Sequence, residues 1–441
     1  MSWTKESILK YVADEHIGVI RLWFTDINGN LKGFAITPRE LPTALEEGMG
    51  FDGSSIEGFA RIQESDLIAL PDPSTFRILP WRSADEKVAV MFCDIHNPDT
   101  TPYAGDPRGV LRNILKRTEA MGYTYYVGPE LEYFYFKNNK ETEVLDVEGY
   151  FDFNQHDAGT EMRKRTVKEL EQMGVLVEYS HHEVAPSQHE IDLRYQDCLK
   201  MADIAMLYRV VVREVARRHG YHATFMPKPV FGINGSGMHV HQSLFKGERN
   251  LFYDKNDPYH LSPMGKAYLA GLLYHINEII AVTNQTVNSY KRLVPGYEAP
   301  VYISWGQRNR SALVRVPMYK PGHEKATRVE LRNPDPACNP YLAFAAMLAA
   351  GLKGLEENYK LPDPVEDDIY TMTEAQRRRR GIRTLPGDLN EATKVFSRSA
   401  LMKETMGPHV FDKFIENKII EWDRYRSHVS RYELDTYLPI F

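Results

Sequence analysis

Glu130 and Glu132 stand in residues 124–136 (TYYVGPELEYFYF), a run whose other side chains are almost all aromatic or aliphatic. Its β-branched and aromatic content predicts a strand, in which residues two apart project from the same face. An isolated ionised carboxylate buried without a partner is strongly unfavourable, and a second one beside it adds repulsion. The chain must therefore bring strong positive charge to this place. A hard divalent cation is the simplest source.

The same kind of polar stripe recurs further along. Gln188, Glu190, Asp192 and Arg194 share one face of residues 188–195, and His181-His182-Glu183 follows the apolar residues 175–177. Residues 237–245 place His239, His241 and Ser243 on one face, and residues 328–332 do the same with Arg328, Glu330 and Arg332. Any one of these fits a half-exposed amphipathic strand. Solvation does not explain acids in an aromatic strand, nor a His-x-His pair beside glycines. Together the stripes supply Glu130, Glu132, Glu183, Glu190, Glu330 and His239. Carboxylates with one imidazole suit Mg²⁺ or Mn²⁺ rather than zinc, and so many ligands suggest two or more ions. Spacing alone does not assign ligands to ions.

Cations crowd the same third of the chain as Glu330: Lys291, Arg292, Arg308, Arg310, Arg315, Lys325, Arg328 and Arg332. Guanidinium forks match carboxylates and phosphates, so metals together with arginines predict a phosphate-bearing ligand. A Walker loop is not its cradle, because Gly265-Lys266 is followed by Ala267. Asn234-Gly235-Ser236-Gly237 precedes a strand and reads as a substrate-contacting loop.

These side chains need a scaffold. The 441 residues are 43% hydrophobic and 26% charged, as in an ordinary globular protein of more than one domain. A net charge of −6 disfavours nucleic acid, and the basic run 377–380 reads as a solvated helix end or subunit contact. The three cysteines, Cys93, Cys198 and Cys338, have neither zinc spacing nor a disulfide framework. No signal peptide is legible, and no apolar run reaches the ~20 residues that span a bilayer, so no membrane and a cytoplasmic location are expected. A helix is expected over residues 4–15, then strands over 17–25 and 31–37 around an Asn28-Gly29 turn. The Asp-, Pro- and Gly-rich residues 94–107 divide the chain, giving domains 1–102 and 103–441. Asp106-Pro107 then opens a helix that Gly122 closes. Helices over 160–173, 199–219 and 263–284, with a buried one over 339–353, alternate with strands. The mixture predicts an α+β fold with helices on an antiparallel sheet whose other face is free for a ligand.

The chain resembles type I glutamine synthetases over nearly its whole length. The matching segments include Phe51-Asp52-Gly53-Ser54-Ser55, Gly128-Pro129-Glu130-Leu131-Glu132, His181-His182-Glu183-Val184-Ala185-Pro186 and Arg308-Asn309-Arg310-Ser311, with residues 228–243, 288–300 and 333–342. The resemblance implies an N-terminal β-grasp domain and a catalytic domain with a curved antiparallel sheet flanked by helices. It implies ATP-dependent ligation of ammonium to L-glutamate through a γ-glutamyl phosphate, in a homododecamer of two hexameric rings. Glu132, Glu183 and Glu190 match ligands of a first metal, and Glu130, His239 and Glu330 those of a second that bridges ATP phosphates. Asn234, Gly235, Arg292 and Arg332 match positions that hold glutamate. Glu178, His241, Ser243, Arg315, Lys325 and Arg328 match the nucleotide side, and Arg310 the arginine that meets the transferring phosphoryl group. Asp52 resembles the residue that takes a proton from ammonium across the subunit interface, and Glu298 the flap residue that closes over the intermediate. A C-terminal segment, residues 432–441 here, inserts into the opposing hexamer in that family.

The link from Phe136 to Gly149 is short, whereas adenylylated members carry an insertion there. Tyr370, which falls where the modified tyrosine would be, is accordingly expected to be an exposed or interface residue. In the shorter subfamily Arg61 matches an arginine involved in feedback inhibition by glutamine; a surface ion pair is the other reading. Effectors such as 2-oxoglutarate, or small regulatory proteins, leave no legible signature. The rivals are a γ-glutamyl–amine ligase of the same superfamily and a non-catalytic regulatory or assembly member. Retention of both Asp52 and Glu298 favours ammonia over a larger amine, and retention of all six metal-ligand positions favours an enzyme.

Overall fold

The computed structural model describes residues 3–54, 56, 58, 66–152, 158–320 and 322–441. Arg61 and Ser55 lie outside the described residues.

The N-terminal part is a mixed sheet in the order Leu31–Ile36, Val19–Thr25, Val88–His96, Asp66–Pro71, Met49–Asp52, with Arg77–Ile78 also on Val88–His96. Val19–Thr25 runs parallel to Val88–His96, and its hairpin partner Leu31–Ile36 is antiparallel. The turn between the hairpin strands is tied by Asp26, whose Oδ1 accepts from the N–H groups of Asn28 and Asn30. Helix Lys5–Asp14 is held at its start by a Thr4/Ser7 capping box and buries Ile8 and Val12 against this sheet.

After His96 the chain loops to helix Pro107–Ala120, with Asp106 as N-cap. Arg108 then binds back to both sides: to Asp94 of the first sheet and Asp72 just past its strand Asp66–Pro71 and, as a fork, to Asp203 of helix Cys198–Arg218. Beyond this point an 11-stranded sheet carries the chemistry. Its main order is His222–Thr224, Tyr133–Phe136, Gln188–Leu193, Thr124–Leu131, Met238–Lys246, Val329–Leu331, Val314–Arg315, Trp305–Gly306. Nearly all pairings are antiparallel; Trp305–Gly306 with Val314–Arg315 is parallel. One face packs on helices Cys198–Arg218, Pro263–Thr283 and Pro340–Glu356. The last two are buried over most of their length and meet through glycines: a Cβ on Gly271 would stand 2.2 Å from the Ala350 carbonyl oxygen, and one on Gly354 would stand 2.2 Å from that of Ala267. Close packing there makes a rigid floor.

The predicted single strand 124–136 is two strands, Thr124–Leu131 and Tyr133–Phe136, interrupted at Glu132. Each half pairs with a different part of Gln188–Leu193, so the sheet bends where the second glutamate sits. The cysteines are buried and unbonded. Among the described residues no helix is long and apolar enough to cross a membrane.

Candidate active site

Sheet register brings the acidic stripes together. His239 lies opposite Glu130, His241 opposite Glu330, Arg315 opposite Glu330, Asp192 opposite Glu130, and Glu190 opposite His181. Directly opposed residues on a sheet face are ~5 Å apart, which is the reach of a shared ion. All six predicted metal ligands line one cavity on the open face of the sheet.

Two groups stand side by side. In the first, His181 Nε2 is 2.9 Å from Glu183 Oε1 and 3.5 Å from Glu190 Oε2. Glu132 Oε2 accepts from Gln188 Nε2 at 2.8 Å and from the Gly237 N–H at 2.9 Å. A Cβ on Gly237 would stand 2.5 Å from Arg292 Nη2 and 3.3 Å from Glu132 Oε1, so a side chain there would displace the arginine. In the second group, His239 Nδ1 is 3.3 Å from Glu130 Oε2 and 3.8 Å from Glu330 Oε1. His241 Nε2 is 2.7 Å from Glu130 Oε1. Arg332 donates to Glu330 Oε1 at 2.7 Å, and Arg315 to its other oxygen.

The two groups differ electrostatically. Burial raises the carboxyls of Glu130 and Glu330, but neighbouring donors outweigh it. His241 and His239 hold Glu130 well below the usual range, and Arg332 with His241 brings Glu330 to about 2. In the first group burial and like charge win, although Arg292 and the Gly237 N–H oppose them at Glu132. Glu132 is pushed up to about 8 by burial and Glu183, and Glu190 well above its ordinary value by burial and Asp192. Glu190 Oε1 is buried without a hydrogen-bond partner. A hard divalent cation is what this set of oxygens lacks, so the residues fit a metal. Each group offers three ligand atoms within 4.8 Å of one another: His181, Glu183 and Glu190 in one, Glu130, His239 and Glu330 in the other.

Asn234, Gly235, Arg292, Glu298, Arg310, Arg315 and Arg332 line the same cavity. Arg292 is buried and donates to the carbonyls of Asn333, Pro334 and Arg332, so its charge is held in place by backbone. Glu298 has a left-handed backbone, φ 55°, and accepts from Asn234 Nδ2 at 3.4 Å. A second cavity adjoins the first through Glu130, Tyr179 and Asp192; Glu178, His241, Ser243, Lys325 and Arg328 line it. Arg328 Nε donates to His241 Nδ1 at 3.0 Å, coupling the two.

Some residues are elsewhere. Asp52 ends strand Met49–Asp52, accepts from the Ser54 N–H at 2.8 Å, and lies outside the cavity of its own chain. Lys291 sits over the Tyr425 ring, and Lys291, Arg194 and Arg308 line neither cavity. Tyr370 is half-buried rather than exposed, because its hydroxyl donates to the Ala299 carbonyl at 2.6 Å and its ring meets Tyr302. The acidic pattern left His181 and Tyr179 without a role; their signal was position, on the same strand face two residues apart.

Family models for the glutamine synthetase β-grasp domain and the glutamine synthetase catalytic domain match residues 16–98 and 104–437. The chain belongs to the glutamine synthetase family. It is 52% identical to a glutamine synthetase of Mycolicibacterium smegmatis over the whole of both chains. It is 51% identical to one of Methanosarcina mazei over 99% of this chain and 98% of that one. A solved GmaS/ADP complex superposes with a TM-score of 0.89 at 30% identity, over 98% of this chain and 99% of that one. A Plasmodium falciparum glutamine synthetase structure has the same TM-score at 24% identity, covering 98% of each chain, and shares the fold. Glutamine synthetases use ATP and divalent metal ions, and the two acidic groups are candidates to hold such ions.

Proposed function

We propose that the chain ligates ammonia to L-glutamate with ATP, giving L-glutamine, ADP and phosphate through γ-glutamyl phosphate. The observation that carries this is the single cavity in which two carboxylate–imidazole groups face a wall of arginines. Glu132, Glu183 and Glu190 would hold one divalent cation, and Glu130, His239 and Glu330 a second, with Mg²⁺ or Mn²⁺ as the ion. When bound, the cations neutralise phosphate oxygens during transfer.

The chain's own residues do the rest. Glutamate lies against Asn234 and Gly235, with Arg292 and Arg332 as counter-charges to its carboxylates. The nucleotide occupies the adjoining cavity against Glu178, His241, Ser243, Lys325 and Arg328, with Arg315 between the two. Arg310 reaches the γ-phosphoryl group as charge develops on it, so catalysis here is positioning and electrostatics. A carboxylate is a poor electrophile; once phosphorylated, it has a good leaving group. Ammonium must lose a proton before it attacks. Asp52, supplied by a second copy of the chain, accepts that proton, and Glu298 closes over the intermediate and keeps water out.

Neighbouring copies therefore complete each site, in a dodecamer of two hexameric rings. The division into residues 1–102 and 103–441 belongs to the same reading, with Asp52 on the first part and the cavity on the second. Glu132→Ala tests the metal assignment: it should abolish synthesis while the assembly stays folded, because it deletes a ligand rather than core volume. Normal turnover of this variant at subsaturating Mg²⁺ would sink the assignment.

A further inference from the structure

Behind the first acidic group lies a set of titratable side chains to which this scheme gives no role. Strands Val177–His182 and Gln188–Leu193 pair with His182 opposite His189. Alternation turns these two histidines away from the cavity face that carries His181 and Glu190. Both are buried, with ring centroids 4.7 Å apart. Beside them is Asp146, its side chain 4% exposed. Asp146 Oδ1 is 3.1 Å from His182 Nε2 and accepts from the Ser187 N–H at 2.5 Å. Its Oδ2 lies 3.8 Å from His189 Nε2.

The three side chains offer ligand atoms within 4.8 Å of one another, which suggests a further cation site. Proton placement argues against it. His182 Nδ1 is 2.7 Å from the Glu183 carbonyl oxygen, which only accepts, and Nε2 faces a carboxylate, which also accepts. Both nitrogens of His182 therefore donate. Arg163 Nη1 donates to His189 Nδ1 at 2.6 Å, which leaves the proton of that ring on Nε2, toward Asp146. The nitrogens a cation would need are occupied by hydrogen. Asp146 Oδ1 is instead an acceptor on which two donors converge, the His182 ring and the Ser187 N–H.

We propose that Asp146 is a positioning residue for the first cation site. It grips His182, the residue before Glu183, and the N–H of Ser187, in the turn that leads to Glu190, and so fixes the hairpin that presents both carboxylates. The turn between them shows what has to be held. Ser187 is buried with φ 59°, a left-handed conformation that non-glycine residues rarely adopt. All its polar groups are engaged: its N–H by Asp146, its Oγ by the Leu145 N–H at 2.5 Å, its carbonyl by the Tyr135 N–H at 3.0 Å. Such a conformation persists only where its surroundings over-determine it, and Asp146 with its neighbour Leu145 supplies two of those constraints. Loss of a group that orients a ligand typically weakens metal binding 10- to 100-fold.

The inference rests on reading Glu183 and Glu190 as metal ligands, and the test separates the two. Free Mn²⁺ is titrated by electron paramagnetic resonance against the full-length, nucleotide-free protein and its Asp146→Asn, Ser187→Gly and Glu190→Gln variants. Ser187→Gly accepts the backbone conformation but removes the Oγ tether, so it keeps the test alive if Asp146→Asn does not fold. We expect both positioning variants to weaken Mn²⁺ binding about tenfold at unchanged stoichiometry, with synthesis recovering at saturating Mn²⁺. Glu190→Gln should lose one equivalent outright. Wild-type affinity in both positioning variants beside a Glu190→Gln that has lost its equivalent would overturn the role of Asp146. Loss of a whole equivalent in Asp146→Asn would make it a ligand and overturn the role as well. Unchanged binding in Glu190→Gln would instead remove the metal reading on which the proposal stands.

Discussion

At the scale of single residues, the cavity separates carboxylates whose neighbours outweigh burial from carboxylates whose neighbours do not. Glu330 has Arg332 and Arg315, and Glu130 has two imidazoles, whereas Glu132 and Glu190 face mainly each other, Glu183 and Asp192. This asymmetry assigns the strongest need for an ion to the first group. The six acidic and imidazole positions were legible in the sequence because charged side chains on apolar strands have few physical explanations. Asp146 was not, since it stands in an irregular link where neither period nor composition marks it. Asp52 belongs to this scale too. It lies apart from the cavity, and its carboxylate is held below its ordinary value by hydrogen bonds from Ser54. An ionised acceptor that touches no phosphate-binding residue should matter to the nucleophile alone. Asp52→Ala is expected to lower ammonia-dependent synthesis by at least 100-fold, on the scale of general acid–base contributions, while nucleotide affinity stays within about twofold. Collapse of nucleotide binding in a titration would show that the role is misassigned.

At the scale of elements, helices were read to within a few residues where caps mark them. Asp106 with Pro107 starts a helix, Ser262 with Pro263 starts another, and Asn339 with Pro340 a third. The break at Glu132 was not legible, because it comes from pairing with two parts of one distant strand rather than from local propensity. Asp106 also ties the first sheet to the helix it caps. Its carboxyl accepts from the N–H groups of Arg108 and Ile95, yet burial, with Asp94 beside it, pushes it from 3.8 to about 7. The folded chain thus keeps a proton that the unfolded chain releases above pH ~4, and this contribution to stability declines as pH rises from there through about 7. In Asp106→Asn the decline should be absent. Its thermal midpoint, measured with chelator between pH 5 and 8, should be lower than wild type but flatter, since an amide cannot accept from both N–H groups. Parallel curves for the two proteins would contradict the argument.

At the scale of the whole molecule, the separation of Asp52 from the cavity and the exposure of the last helix both point outward. Helix Arg431–Tyr437 and the residues after it expose Tyr432 at 70%, Leu438 at 74%, Ile440 at 70% and Phe441 at 98%. Burying each such side chain is worth roughly 1.5–3 kcal/mol, so a cluster of this kind favours association. If the proposed assembly is right, deleting residues 432–441 should convert dodecamers to hexamers by light scattering, with much of the activity retained because that assembly forms its sites between neighbours within a ring. A dodecamer that survives the deletion would rule out this docking.

The central claim is the identity of the nucleophile. The metal and nucleotide residues would serve any amine; Asp52 and Glu298 are what make the account specific to ammonia. The direct measurement is product identity by mass spectrometry, with glutamate, ATP and Mg²⁺ or Mn²⁺, and with ammonium, putrescine or no amine added. Glutamine should form in step with ADP when ammonium is present, with no more than slow phosphate release with putrescine or without amine. A γ-glutamyl–putrescine adduct formed in preference to glutamine, or no product with any amine, would contradict ammonia as the nucleophile.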